Sequence, residues 1–209
     1  MGLDEFLPPG WTVQNGRGLA LVIAGPSGAG KSSVISELLR RDPRLCFSVS
    51  ATTRPRRPEE VDGRDYSFVD DSEFERMIGA GELLEWTIYQ GHRYGTPRAE
   101  VAARLAGGRD VVINVEVQGA LALRRCGLSH PVVLVFLVPP SREELVRRIR
   151  GRGTESSEAL ATRLAIADQE VRHIPEFDYL VVNDSLDAAV ERVEAILVAE
   201  RSRIRRCSP

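Results

Sequence analysis

An α/β fold built on a doubly wound, parallel five-stranded sheet flanked by helices is predicted by three observations. Short β-branched apolar runs alternate with helical patterns along most of the chain. The first run, Leu19 to Ala24, passes directly into GPSGAGKS at Gly25 to Ser32, a glycine-rich turn that opens a helix. Between Arg54 and Tyr94 the alternation stops, as a small inserted mixed α/β subdomain would stop it.

Taken in order, residues 1–18 contain Pro8-Pro9-Gly10 and Asn15-Gly16-Arg17-Gly18 and read as a loose leader. Leu19 to Ala24 is unbroken and apolar, as expected of a strand covered on both faces, and Lys31 to Arg40 follows as a helix. Asp42-Pro43 marks a turn before a strand predicted over Phe47 to Ala51. Inside the insert, Asp65 to Val69 alternates like an exposed strand, Ser72-Glu73-Phe74-Glu75 caps a short helix, and Leu83 to Tyr89 reads as a further strand. The rhythm resumes with a helix over Pro97 to Ala106, a strand over Asp110 to Val115, a helix over Gln118 to Arg125 and a strand over Val132 to Val138. Ser141-Arg142-Glu143-Glu144, after Pro139-Pro140, is a capping box that starts a helix to Arg150. Helices over Ala159 to His173 and Leu186 to Arg203 enclose a last strand, Tyr179 to Val182. Val190, Val193, Leu197 and Ile204 keep helical spacing and predict a core-facing stripe. The polar, glycine-hinged stretch Gly151 to Ser157 joins two arginine-bearing helices and suits a helical lid. The expected division is a core of 19–53, 97–146 and 174–209, an insert of about 54–96 and a lid of about 147–173.

Composition narrows the partners. The chain has 209 residues, 43% hydrophobic, enough for one substantial core. Its 28 Lys plus Arg against 30 Asp plus Glu leave a net charge of −2, which argues against long nucleic acids as partners. The basic residues are nearly all arginine and cluster locally, a pattern suited to gripping small phosphorylated ligands. Cys46, Cys126 and Cys207 lack the number and spacing of a disulfide framework or zinc site. His92, His130 and His173 are scattered without metal-ligand spacing and read as structural or exposed. The longest apolar run, Val132 to Val138, is far too short to span a membrane, and the first residues resemble no signal peptide, so a cytoplasmic protein is expected. Oligomeric state is not legible.

The strongest chemical signal is GxxxxGK[ST] between a strand and a helix. Gly25, Gly28 and Gly30 allow backbone angles closed to other residues, so the amides of the Gly25-Pro26-Ser27-Gly28-Ala29-Gly30 turn can face a polyphosphate. Lys31 supplies a point charge for the β- and γ-phosphates, and Ser32 is placed to ligate Mg²⁺. The helix dipole beginning at Ser33 adds partial positive charge. A nucleoside triphosphate with its magnesium is the expected ligand.

A second substrate is suggested by Arg54 and Arg57, two guanidinium forks that can clamp a phosphate, although solvated surface charge fits the same pair. Tyr66 and Tyr94 offer hydroxyls, and Glu85 is an acid among apolar neighbours. A carboxylate can accept from both N1–H and the exocyclic amine of guanine, with Ser50 and Thr96 donating to O6. Glu85 could equally pair with an arginine.

GPSGAGKSS, SVSATTRPRR, EVDGRDYSFV, ELLEWTIYQGHRYGTP, NVEVQGA, RGRGTES and VVND, in that order from about Leu19 to the last helix, resemble the guanylate kinase family. The resemblance implies transfer of the γ-phosphoryl of ATP to GMP, and to dGMP. It also implies that Arg54, Arg57, Tyr66 and Tyr94 hold the GMP phosphate, while Ser50, Glu85, Thr96 and Glu116 read the guanine. Arg148, Arg152 and Arg163 would serve the ATP side from the lid and its flanks, and Asn183 would sit near the adenine. Lys31, Arg54, Arg148 and Arg163 are the residues expected to carry catalysis. This sequence departs from the family in having Glu116 where Asp is commoner, Asn114 where an acid is usual and Glu59 where glycine is common. Two other readings are a non-catalytic scaffold of the same fold, which typically loses the phosphate loop kept here, and a P-loop kinase for another small substrate.

Overall fold

The structure, a computed structural model, describes residues 7–8, 11–13, 17–151 and 157–206. Its elements begin β1 (Trp11–Val13), β2 (Ala20–Ala24), α1 (Lys31–Arg41), β3 (Leu45–Phe47), β4 (Ala51–Thr52), β5 (Ser67–Phe68), α2 (Asp71–Gly79), β6 (Leu83–Tyr89) and β7 (His92–Pro97). They continue α3 (Arg98–Ala106), β8 (Asp110–Asn114), α4 (Val117–Arg125), β9 (Val132–Val138), α5 (Arg142–Arg150), α6 (Ser157–Glu170), a 3-10 stretch (Val171–Glu176), β10 (Tyr179–Val182), α7 (Leu186–Arg201) and β11 (Ile204–Arg206).

The five-stranded sheet is parallel throughout, in the order β10-β9-β2-β8-β3. The run Leu19 to Ala24 is apolar at every position because both its faces are covered, and all six residues are fully buried. Leu19, Leu21 and Ile23 pack with α1 and α7, whereas Ala20, Val22 and Ala24 pack with α3 and α4. From β2 the chain runs out to β3 at one edge and later crosses to β9 and β10 on the other side. The carboxyl end of β2 is therefore a topological switch point, where open α/β sheets bind ligands.

The insert forms a separate four-stranded sheet in the order β5-β4-β7-β6, with its own small core of Ala51, Phe74 and Leu83. The strand predicted over Phe47 to Ala51 is two strands in two sheets, β3 in the core and β4 in the insert, so the chain leaves one sheet for the other between them. The exposed strand predicted over Asp65 to Val69 shrinks to Ser67–Phe68. β7, absent from the sequence reading, pairs antiparallel with both β4 and β6, and Gln90-Gly91, both at positive φ, close the β6–β7 hairpin.

Three further expectations are corrected. The leader is not wholly loose: Trp11–Val13 pairs antiparallel with Ile204–Arg206. The last helix ends at Arg201, so Val190, Val193 and Leu197 are buried as expected but Ile204 is an exposed strand residue. The helix read through His173 stops at Glu170 and tightens to 3-10 geometry, with Pro175, which has no amide hydrogen to donate, within that stretch. Cys46 and Cys126 pack against the core, as expected of small apolar residues. Among the described residues, no helix is long and apolar enough to cross a membrane.

One buried ionic cluster fastens the last helix to the sheet. Arg201 Nε donates to Asp110 Oδ2 at 2.7 Å and its Nη2 to Asp42 Oδ2 at 2.5 Å, while Asp110 Oδ1 accepts from the Leu19 amide at 3.0 Å. Asp110 is fully buried. Arg201→Met leaves that carboxylate without its counter-charge and is expected to lower stability by about 3 kcal/mol in urea unfolding.

Candidate functional site

A cleft of 270 Å³ lies between the carboxyl end of β2 and the inserted sheet. Pro26, Ser27, Gly28, Gly30, Lys31, Ser32 and Ser33 line one side of it, and Ser50, Arg54, Arg57, Tyr66, Glu85, Tyr94 and Glu116 line the rest, with Arg163 contributed by α6. Residues predicted for two different ligands thus share one cavity. Gly25, Ala29, Thr96, Arg148 and Asn183 stand behind its walls, and Arg152 lies outside the described residues.

The phosphate loop has the backbone its glycines predict, with φ of +141°, +91° and +92° at Gly25, Gly28 and Gly30. Gly30 caps α1, and a Cβ there would sit 2.3 Å from Asn183 Nδ2. Asn183 is buried and donates to the Ala29 carbonyl at 2.7 Å, while Arg148 donates to the Asn183 carbonyl at 2.9 Å and to Glu144 at 2.7 Å. Both side chains brace the loop from behind in this structure, and neither faces the cleft. Lys31 Nζ turns back onto the carbonyls of Gly25 and Pro26.

The opposite wall is acidic. Glu85 is 6% exposed; its Oε1 accepts from Thr96 Oγ1 at 2.5 Å, and its Oε2 is buried without a partner. The single Thr96 proton is committed to Glu85, so Thr96 orients the acid instead of offering a donor to a base. Burial pushes the Glu85 carboxyl up, with the Thr96 hydroxyl opposing. Gly119, in the first turns of α4, lets the helix approach, since a Cβ there would lie 2.9 Å from Glu85 Oε2. Glu116 occupies the N-cap position of α4 without capping it, and its Oε2 is likewise buried and unpartnered. Buried polar atoms without partners are rare, and two in the walls of one cleft mark where ligand donors belong.

Arg54 carries the basic wall. Its guanidinium lies 5.4 Å from the Tyr66 ring centroid, donates to Glu60 Oε1 at 2.7 Å and is mostly buried. Tyr66 and Tyr94 meet edge to face at 5.9 Å, which fixes their hydroxyls. Burial raises the Glu60 carboxyl, but the Arg54 hydrogen bond and the Arg57 amide outweigh it and hold it below the ordinary range. Glu60 therefore stays ionised on the fork that a phosphate would need.

Glu60, Thr87, Tyr89, Gln90 and His92 also line the cleft and were missed by the sequence reading. Strand alternation from Glu85 would have found two of them, because Thr87 and Tyr89 share its face, while Trp86 and Ile88 point outward and are 46% and 60% exposed.

A switch-point phosphate loop facing a basic and acidic wall across one cavity defines a P-loop phosphotransferase fold for small phosphorylated acceptors. The guanylate kinase family model matches residues 17–200. A guanylate kinase of Gloeobacter violaceus is 51% identical over 181 residues, 86% of this chain and 87% of that protein. One from Desulfitobacterium hafniense is 45% identical over 195 residues, 93% of this chain and 96% of the relative. The crystal structure of guanylate kinase from Anaplasma phagocytophilum superposes with a TM-score of 0.76 at 33% identity, covering 90% of this chain and 89% of that one. The chain belongs to the guanylate kinase family.

Proposed function

We propose that this guanylate kinase family member transfers the γ-phosphoryl group of ATP to GMP, and to dGMP, with the two nucleotides meeting head to head in the one cleft. The observation that carries the reading is the pair of unpartnered buried oxygens, Glu85 Oε2 and Glu116 Oε2. Guanine presents N1–H and an exocyclic amine side by side, donors that these acceptors suit. Adenine presents an acceptor at N1 and would leave a carboxylate facing a lone pair. Ser50 lies in the same wall and supplies a hydroxyl for O6.

Arg54, Arg57, Tyr66 and Tyr94 hold the acceptor phosphate, with Arg54 exchanging Glu60 for it. Charge-assisted forks leave one phosphate oxygen free to attack. The acceptor is nucleophilic at neutral pH, so no general base is required, and catalysis is positioning and charge stabilisation. The loop amides and Lys31 hold the triphosphate of ATP. Arg163 faces the cleft and Arg148 stands against the loop; together with Arg152, which lies outside the described residues, they would offset charge on the transferring group. Closure of a lid of about 147–173 over an insert of about 54–96 excludes water that would otherwise accept the phosphoryl group.

Ser32 lines the cleft beside Lys31, and among the described residues no cluster of three His, Cys, Asp or Glu could hold a metal alone. One hydroxyl plus nucleotide phosphates and waters suits Mg²⁺, which when bound screens the β- and γ-oxygens. The amide at Asn114, in the cleft where an acid is usual, adds no charge to that support. The reading includes small-molecule partners, ATP and GMP, and a cytoplasmic location.

A coupled assay with GMP, dGMP, AMP, UMP and CMP tests the reading. GMP and dGMP are expected to be phosphorylated in a magnesium-dependent reaction, with AMP used at least roughly 10²-fold less efficiently, the discrimination expected when site acceptors are left unpaired. Comparable use of AMP would overturn it.

A further inference from the structure

The phosphate loop is held from behind at one peptide group. Asn183, the residue after β10, is 5% exposed, and its Nδ2 donates to the Ala29 carbonyl at 2.7 Å. Its own backbone is pinned on both sides. The Asn183 amide donates to the Val138 carbonyl at 2.7 Å, and its carbonyl accepts from Arg148 of α5 at 2.9 Å. The side chain also fills the space behind the turn, since a Cβ on Gly30 would lie 2.3 Å from the same Nδ2. Gly30 lines the cleft, whereas Ala29 and Asn183 do not.

The peptide joining Ala29 to Gly30 is planar and trans, so its carbonyl and its N–H point in opposite directions. With the carbonyl drawn back onto Asn183, the Gly30 N–H is turned toward the cleft. The neighbouring Ala29 N–H is spent inside the turn, on the Pro26 carbonyl at 3.0 Å, while the Gly30 N–H meets no acceptor among the described residues. Without a tether this peptide could rotate, because the glycine on its C-terminal side admits either sign of φ.

We propose that Asn183 is a positioning residue for the donor triphosphate. It fixes the Ala29–Gly30 peptide so that the Gly30 N–H is aimed at a phosphate oxygen before nucleotide arrives, which spares binding the cost of ordering it. The proposal rests on the reading of the Gly25–Ser32 loop as the triphosphate site. It replaces the place beside the adenine that the family resemblance implies for Asn183. In this role Asn183 reads no base, so its loss weakens any triphosphate chain alike and leaves the acceptor site, built on the insert, untouched.

The test uses wild type, Asn183→Ala and Asn183→Leu. The measurements are the KM for ATP and for GMP, each at saturating co-substrate, the inhibition constant of inorganic tripolyphosphate competing with ATP, and thermal denaturation in parallel. In both variants the ATP KM and the tripolyphosphate constant are expected to rise by the same factor, roughly tenfold, the worth of one buried hydrogen bond, with the GMP KM changed less than about twofold. Leucine keeps the bulk and deletes only the donor. Wild-type ATP and tripolyphosphate values in Asn183→Leu would reduce the side chain to packing and overturn the proposal. A loss confined to ATP, with tripolyphosphate unaffected, would make Asn183 an adenine contact and overturn it too. A loss shared equally by GMP, together with a lowered melting temperature, would make it a general support of the fold and do the same. If wild type itself fails to transfer from ATP to GMP, the reading of the loop fails and the proposal with it.

Discussion

Lys31→Met is expected to lower turnover by roughly 10³-fold or more while leaving the melting temperature nearly unchanged. Lys31 is the only lysine in a chain whose other basic residues are all arginine. Its ammonium donates to the carbonyls of Gly25 and Pro26 beside the cleft. Removing that contact costs the folded state little, because the carbonyls can turn to water. Methionine keeps the length and apolar stem and deletes the charge, so the loss falls on the transferring phosphoryl group, where charge shifts toward the bridging oxygen. Arginine in its place is expected to fail as well, because a planar fork cannot occupy the space of a point charge inside a loop this tightly turned. Steady-state kinetics at saturating ATP and GMP, with thermal denaturation in parallel, checks both halves. Turnover within tenfold of wild type would remove Lys31 from catalysis.

Glu85→Gln is expected to reduce kcat/KM for GMP by roughly 10²-fold while changing the KM for ATP less than about twofold. The amide would turn its NH₂ toward the guanine donors, set donor against donor, and give up the charge that makes the contact strong. Thr96 would still hold the other oxygen, so the side chain keeps its place and the loss is chemical, not structural. Stability should move the other way. Burial raises the Glu85 carboxyl in the fold, so the native protein binds that proton more tightly than the unfolded chain does. Wild-type stability therefore declines as pH rises above the ordinary carboxyl range, and Gln, which does not titrate, escapes that decline. Glu85→Gln should melt higher than wild type at pH 8, with the difference shrinking as pH falls toward 5. Equal damage to GMP and ATP use would take Glu85 out of the base site.

How much could be read from residues alone depended on how local each signal was. Gly25 to Ser33 announces itself because strand, turn, lysine and helix are contiguous, and the turn's geometry follows from its glycines. The parallel sheet was equally legible, since strands buried on both faces leave unbroken runs such as Leu19 to Ala24 and Val132 to Val138. The insert was harder. β4 and β5 are two residues each, and β7 reads HRYGTP, polar on the side that faces the cleft, so neither periodicity nor apolarity marks them. The split at Ser48 to Ser50 leaves no trace because both strands continue in extended backbone. Roles set by distant partners were invisible for a different reason. Thr96 donating to Glu85, Asn183 behind Ala29 and Glu60 on Arg54 each join residues whose meeting only the fold decides. The pairing of Trp11–Val13 with Ile204–Arg206 joins the two ends of the chain and has no local signal at all.

A crystal structure with GMP bound addresses the shared cleft itself. The guanine N1 and exocyclic amine are expected at hydrogen-bonding distance, about 2.7–3.2 Å, from Glu85 Oε2 and Glu116, with the phosphate on Arg54, Arg57, Tyr66 and Tyr94 and Glu60 displaced from Arg54. A base seated away from both carboxylates, or a phosphate resting on the Gly25–Ser32 loop with Arg54 still held by Glu60, would contradict it.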